Sequence, residues 1–205
     1  MGYKSLQDRM TPSVYGVGYL GANTDAPTKV NGRNCTLYTK WTGTLKRCYS
    51  EKQQIKQPTY IGCTVSDEFK DYSKWVEWYD NCPYKQDGWH LDKDLLIKGN
   101  KVYSEYTCVF LPKEINLALT TSSKSRGEYL IGVCWHKASK SFVAQVNRNK
   151  GKPERLGYFK TEIEAFNSYK KAKEEYLKEL ADKYKDLLDP RAYEALYNYT
   201  VDIDD

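Results

Sequence analysis

The chain has 205 residues, with 32 basic and 27 acidic side chains, a net charge of +5 and a mean hydropathy of −0.77. That length can bury a substantial core. No apolar run approaches the ~20 residues needed to cross a bilayer. The opening MGYKSLQDRMTPSVYG lacks the apolar centre of a secretory signal, so the expectation is a cytoplasmic protein without membrane contact.

Charge is unevenly placed. Residues 186–205 hold six acids and one arginine, whereas residues 1–185 carry 31 basic and 21 acidic side chains. Basic charge interleaved with 19 Tyr and 5 Trp suits a nucleic-acid partner, through phosphate contacts and stacking. Six cysteines, at 35, 48, 63, 82, 108 and 134, include no C-x-x-C pair, and there are only two histidines. This argues against a structural zinc and for buried free thiols.

In chain order, residues 1–34 show little periodicity. Tyr15 to Tyr19 reads as extended and Asn23 to Asn34 as loop. From Thr36 to about Ser50, Tyr38, Trp41, Leu45 and Cys48 recur at helical spacing. Lys40, Lys46 and Arg47 fall on the other side, as a solvated face that could also meet a DNA backbone. Tyr60 to Val65 reads as a strand, Ser66 as a helix cap, and Tyr72, Trp75, Val76, Trp78 and Tyr79 as an aromatic-faced helix.

The next stretch, WHLDKDLLIKGNKVYSEYTCVFLPKEIN from Trp89 to Asn116, predicts strand, turn, strand and helix. Asp92 to Ile97 forms the first strand. Lys98-Gly99-Asn100-Lys101 supplies the turn, Tyr106 to Leu111 the second strand, and Pro112 opens the helix. Asp92 and Asp94 would lie on the first strand and Asn116 on the helix, so these oxygen donors can converge on one divalent cation.

Leu91-Asp-Lys-Asp94, Gly99-Asn-Lys101 and Tyr103-Ser-x-x-Thr-Cys108 together resemble the HNH-type (ββα-metal) endonucleases found free-standing in phage genomes. Trp41, Arg47-Cys48-Tyr49 and Pro58-Thr59-Tyr60 resemble the N-terminal part of the same family. The resemblance implies cleavage of duplex DNA with Mg²⁺ or Mn²⁺, the metal held by Asp92 or Asp94 with Asn116. Family members carry Asp-His at the end of the first strand, and here Lys93 stands in the histidine's place. A lysine is protonated at neutral pH and cannot take a proton from water. Either His90, two residues earlier, substitutes as base with Lys93 as an electrostatic partner of the phosphate, or the site is damaged.

Thr120 to Arg126 reads as a polar linker. Beyond it, Glu128 to Trp135, Ser141 to Arg148 and Arg155 to Phe159 predict three strands, with Phe142, Ala144 and Val146 on one face. Thr161-Glu-Ile-Glu164 is a capping-box signature. The helix after it carries an apolar stripe of Ala165, Phe166, Tyr169, Ala172 and Tyr176. With Gly132-Val133 and Leu156-Gly-Tyr-Phe159 as further landmarks, this segment resembles the APETALA/ethylene-response-factor DNA-binding domain. The resemblance implies that one sheet face enters the major groove and presents Cys134, His136, Gln145, Asn147 and Arg155. Lys137, Lys140, Arg148, Lys150 and Lys152 would meet phosphates. Gln and Asn can pair with adenine and Arg with guanine.

The expected organisation is α+β: an HNH-like ββα domain with an N-terminal extension over 1–119, and a linker over 120–126. A three-stranded antiparallel sheet backed by one helix follows over 127–185, then an acidic tail over 186–205 that packs back or remains mobile. The first expected function is a phage-type, homing-like endonuclease. The alternative is a DNA-binding regulator without chemistry, or an inhibitor of a host protein built on a degenerate HNH scaffold. A third reading takes the acidic tail as a DNA mimic that binds protein.

Overall fold

The computed structural model describes residues 5–23, 25–120, 128–148 and 152–204. Helices and small sheets alternate in an α+β arrangement. No helix among the described residues is long and apolar enough to cross a membrane. The chain clusters into two units, Met1–Lys85 with Leu96–Val109, and Gln86–Leu95 with Phe110–Asp205. The strand and helix that carry Asp92 and Asn116 therefore belong to the unit that also holds the C-terminal sheet. Of the expected linker, residues 121–126 lie outside the described set.

The first unit begins with α1 (Leu6–Met10), capped reciprocally by Ser5 and Asp8. Tyr15 and Gly16 both take positive φ, so the expected extended run at 15–19 is instead a tight turn closed by Val14 and Gly18. A hairpin of β1 (Lys29–Val30) and β2 (Arg33–Asn34) occupies the segment read as loop. Its turn is Asn31-Gly32, with both residues at positive φ.

Helix α2 (Thr36–Tyr49) forms where its spacing predicts it and buries Trp41, Thr44, Leu45 and Cys48. Its presumed basic face does not survive intact. Lys40 donates to the Tyr79 hydroxyl at 2.8 Å, and Arg47 turns inward against Tyr60 and Tyr103, leaving Lys46 exposed. After α3 (Glu51–Lys56), a 3₁₀ turn at Pro58–Tyr60 and a turn through Gly62 at positive φ take up the start of the expected strand, and only β3 (Thr64–Val65) remains.

Ser66 caps α4 (Asp67–Lys70). Asp71 caps α5 (Tyr72–Asn81) by accepting from the N–H groups of Ser73 and Lys74. The aromatic stripe is core, as its spacing suggests: Tyr72 and Trp75 are buried, and the Trp41 indole N–H donates to the Phe69 carbonyl at 2.8 Å. Strand β5 (Val102–Tyr103) pairs in parallel with β3.

In the second unit, β4 (His90–Asp92) pairs with β6 (Val109–Leu111), and α6 (Lys113–Leu119) follows with Pro112 at its N-cap. Strands β7 (Val133–His136), β8 (Ser141–Val146) and β9 (Glu154–Phe159) form the antiparallel sheet in that order. The expected strand from Glu128 shortens at its start, because residues 128–132 bend through Gly132 at φ +75.

Helix α7 (Glu162–Lys183) starts at the expected capping box of Thr161 and Glu164. Its Ala165, Phe166, Tyr169 and Ala172 pack on Phe142, Ala144, Val146, Leu156 and Phe159 of the sheet. The chain end packs back, with α8 (Pro190–Tyr197) burying Ala192 and Leu196, and Val201 joining the sheet–helix core. Lys173 of α7 donates to the Ala118 carbonyl in the last turn of α6, and burial pushes its ammonium below the usual lysine range.

Candidate nucleic-acid interface and ββα segment

β4 pairs with β6 and α6 follows, but β5 falls between them and pairs with β3, and the first strand is shorter than expected. Chain extension stops at Asp92, because its Oδ1 accepts the N–H groups of Asp94 at 2.9 Å and Leu95 at 2.8 Å. An Asp side chain that bonds the backbone two and three residues on curls the chain into a turn. Asp94 therefore lies in the bend rather than on the strand.

Lys93 is not a surface residue. It is 5% exposed, and its ammonium pairs with Asp94 Oδ1 at 2.5 Å. Lys93 thus lies inside the turn and paired to Asp94, not on the surface where a phosphate partner was expected. His90 is exposed, Asn116 is half-buried on α6, and β4 packs beside α6. Among the described residues no group of three or more His, Cys, Asp or Glu side chains gathers as a metal site. Of the donors expected to take a cation, Asp92 Oδ1 accepts from two backbone N–H groups and Asp94 Oδ1 pairs with Lys93.

Burial pushes the Asp92 carboxyl above its ordinary range, against the opposing pull of the two N–H groups. A raised folded-state value means the native protein holds this proton more tightly than the unfolded chain. Stability from Asp92 is then greatest at low pH. It falls as pH rises from the ordinary carboxylate range through the raised one. Asp92→Asn keeps an oxygen for the same two N–H groups but removes the ionisation. Denaturant midpoints measured over a pH series are expected to show the variant gaining on the native protein through that window. Parallel curves would contradict this assignment.

The sheet supplies the second candidate. Its outward face is set by register: Gln145 lies opposite Arg155, Val143 opposite Cys134 on one side and Tyr158 on the other, and His136 opposite Ser141. A regular strand would put residues 155, 157 and 159 on one side. A bulge, where Ala144 pairs with Gly157 but Gln145 with Arg155, leaves Leu156 as the extra residue. Arg155 and Tyr158 consequently face the same way.

Arg155 Nη1 donates to the Tyr158 hydroxyl at 2.6 Å, with the guanidinium 5.4 Å from the ring centre. His136 meets the same ring edge-on at 5.4 Å, and its Nδ1 lies 2.7 Å from Ser139 Oγ. Tyr158, half exposed, was not among the expected residues; strand alternation without the bulge hides it.

The other expected contacts divide clearly. Gln145, Asn147, Lys137, Lys140 and Lys152 are exposed, while Cys134 is half-buried beside Val143. Arg148 is removed from the phosphate set. It pairs with Glu154 at 3.1 Å and Glu179 at 3.2 Å, and lies 5.5 Å from the Tyr176 ring centre. Lys150 lies outside the described residues. Comparison with known proteins finds no matching family model, no matching curated protein and no matching solved structure.

Proposed function

We propose that this chain binds duplex DNA through the outward face of its C-terminal sheet. The observation that carries the reading is the pairing of exposed Gln145 and Arg155 on adjacent strands, with Arg155 held by Tyr158. A guanidinium presented on a rigid strand matches the two acceptors of guanine, and a carboxamide matches adenine. Lys137, Lys140 and Lys152 supply positive charge around that face. Arg155→Ala is expected to weaken binding to a preferred duplex by about 1–3 kcal/mol and to relax one base position. Lys137→Ala should weaken all sequences alike. Competition binding across a panel of duplexes separates these outcomes, and equal, sequence-independent losses for both variants would leave only backbone contact.

The second reading is a metal-dependent endonuclease of the HNH type, favoured by the strand–strand–helix order that sets β4 beside α6. It would require Mg²⁺ or Mn²⁺ with Asp92, Asp94 and Asn116, and His90 as base. Against it stand the backbone bonds to Asp92 and the pairing of buried Lys93 with exposed Asp94. The expected result is that supercoiled plasmid stays intact with Mg²⁺ present. Metal-dependent nicking that His90→Ala abolishes would establish the nuclease instead.

A further inference from the structure

Two donors converge on one ring nitrogen of His136. The Ser139 N–H donates to His136 Nδ1 at 3.3 Å, and Ser139 Oγ lies 2.7 Å from the same atom. A backbone N–H can only donate, so Nδ1 is the unprotonated nitrogen, and the proton of the neutral imidazole sits on Nε2. The Ser139 hydroxyl then donates to Nδ1 and accepts from Ser141, whose Oγ lies 2.7 Å away. The turn that returns Ser139 to the ring spans residues 137–140 and closes through Lys140 at φ +48.

The far nitrogen is left for a partner from outside. Nε2 makes no hydrogen bond among the described residues, and His136 is only half-buried. The ring meets Tyr158 edge-on with centres 5.4 Å apart, and the Arg155 guanidinium lies 5.4 Å from that same Tyr158 centre. His136 and Arg155 therefore share one aromatic neighbour, close enough to address the same few base pairs of ~3.4 Å each. Contact with Tyr158 on one flank and two bonds at Nδ1 on another hold the imidazole in place.

We infer that His136 is a specificity-determining residue of the sheet face, presenting a fixed Nε2–H donor to a guanine in the major groove. The inference rests on the duplex-DNA reading of that face. A single neutral N–H is matched best by guanine, which offers N7 and O6 as adjacent acceptors with no donor beside them. Adenine sets its N6 amino donor next to N7, thymine carries a methyl beside O4, and cytosine offers a donor. The face thus reads two guanines, one through Arg155 and one through His136.

Two measurements on the full chain test this. Long-range ¹H–¹⁵N spectra at pH about 8, above the ordinary histidine range, report the tautomer. His90 is the only other histidine, so the signals missing from His136→Gln belong to His136. A bare Nδ1 with a protonated Nε2 is expected, and a proton on Nδ1 overturns the assignment. Competition binding then compares a preferred duplex with single guanine-to-adenine exchanges, in the native chain and in His136→Phe, which keeps a ring against Tyr158 but has no donor. At one guanine within about three base pairs of the position relaxed by Arg155→Ala, exchange is expected to cost the native chain about tenfold and His136→Phe nothing. His136→Gln, which carries an amide donor, is expected to keep the penalty. Equal penalties in the native chain and His136→Phe overturn the assignment of His136 and leave the sheet as the DNA face. Absence of duplex binding removes both.

Discussion

Replacing Gly132 with alanine is expected to destabilise the sheet–helix core by roughly 2–5 kcal/mol. Gly132 sits at φ +75, where an L side chain is strained, and a Cβ there would meet the Tyr169 ring at 2.2 Å. That ring is part of the buried surface between α7 and the sheet, so it has little room to withdraw. The Gly132 carbonyl also accepts the Gln145 N–H at 2.9 Å, which ties the turn before β7 to the candidate reading face. Gly43, within α2, is the matched control. Its added Cβ meets nothing within 4 Å, and Gly43→Ala should stabilise by up to about 1 kcal/mol. Chemical denaturation of both variants measures this. An unchanged midpoint for Gly132→Ala would mean that the turn is free to rearrange.

The parts of this fold that follow from local rules were legible in the residues alone. The Thr161 capping box, the Ser66 cap, the apolar stripe of α2 and the aromatic stripe of α5 each depend on contacts within a few positions. The Phe142, Ala144 and Val146 face followed from alternation, and it packs on α7. The Asn31-Gly32 hairpin was missed, being read as loop, although that dipeptide favours the paired positive φ values of a tight turn.

The misplaced elements have long-range or side-chain causes. Val102–Tyr103 lies beside the turn at Lys98–Asn100 yet pairs with Thr64–Val65, almost forty positions earlier. Nothing in its own spacing announces that partner. The strand expected through Ile97 ends at Asp92 because one carboxylate oxygen captures two N–H groups. In the same turn Lys93 is buried and pairs with Asp94, so two of the three donors read as free lie in one tight bend.

Arg148 and Arg47 make a related point. Both look like surface cations in a basic run, and both are taken up by rings, Arg148 also by acids from β9 and α7. Tyr158 enters the candidate face only because a bulge rotates β9 by one residue. A single inserted position of this kind leaves little trace in hydrophobic alternation.

The most direct measurement of the central proposal is a fluorescence titration of the full chain with labelled duplex DNA at several salt concentrations. With Arg148 committed to Glu154 and Glu179, Lys137, Lys140 and Lys152 remain as the expected phosphate contacts among the described residues. Neutralising about three phosphates gives a slope of log affinity on log salt of roughly −2.7, so a fourfold rise in salt should weaken binding roughly fortyfold. Lys137→Ala should make that slope shallower by about 1. Saturable low-salt binding with this slope is the predicted result. No binding at low salt, or binding that salt does not weaken, would contradict the sheet as a DNA-binding face.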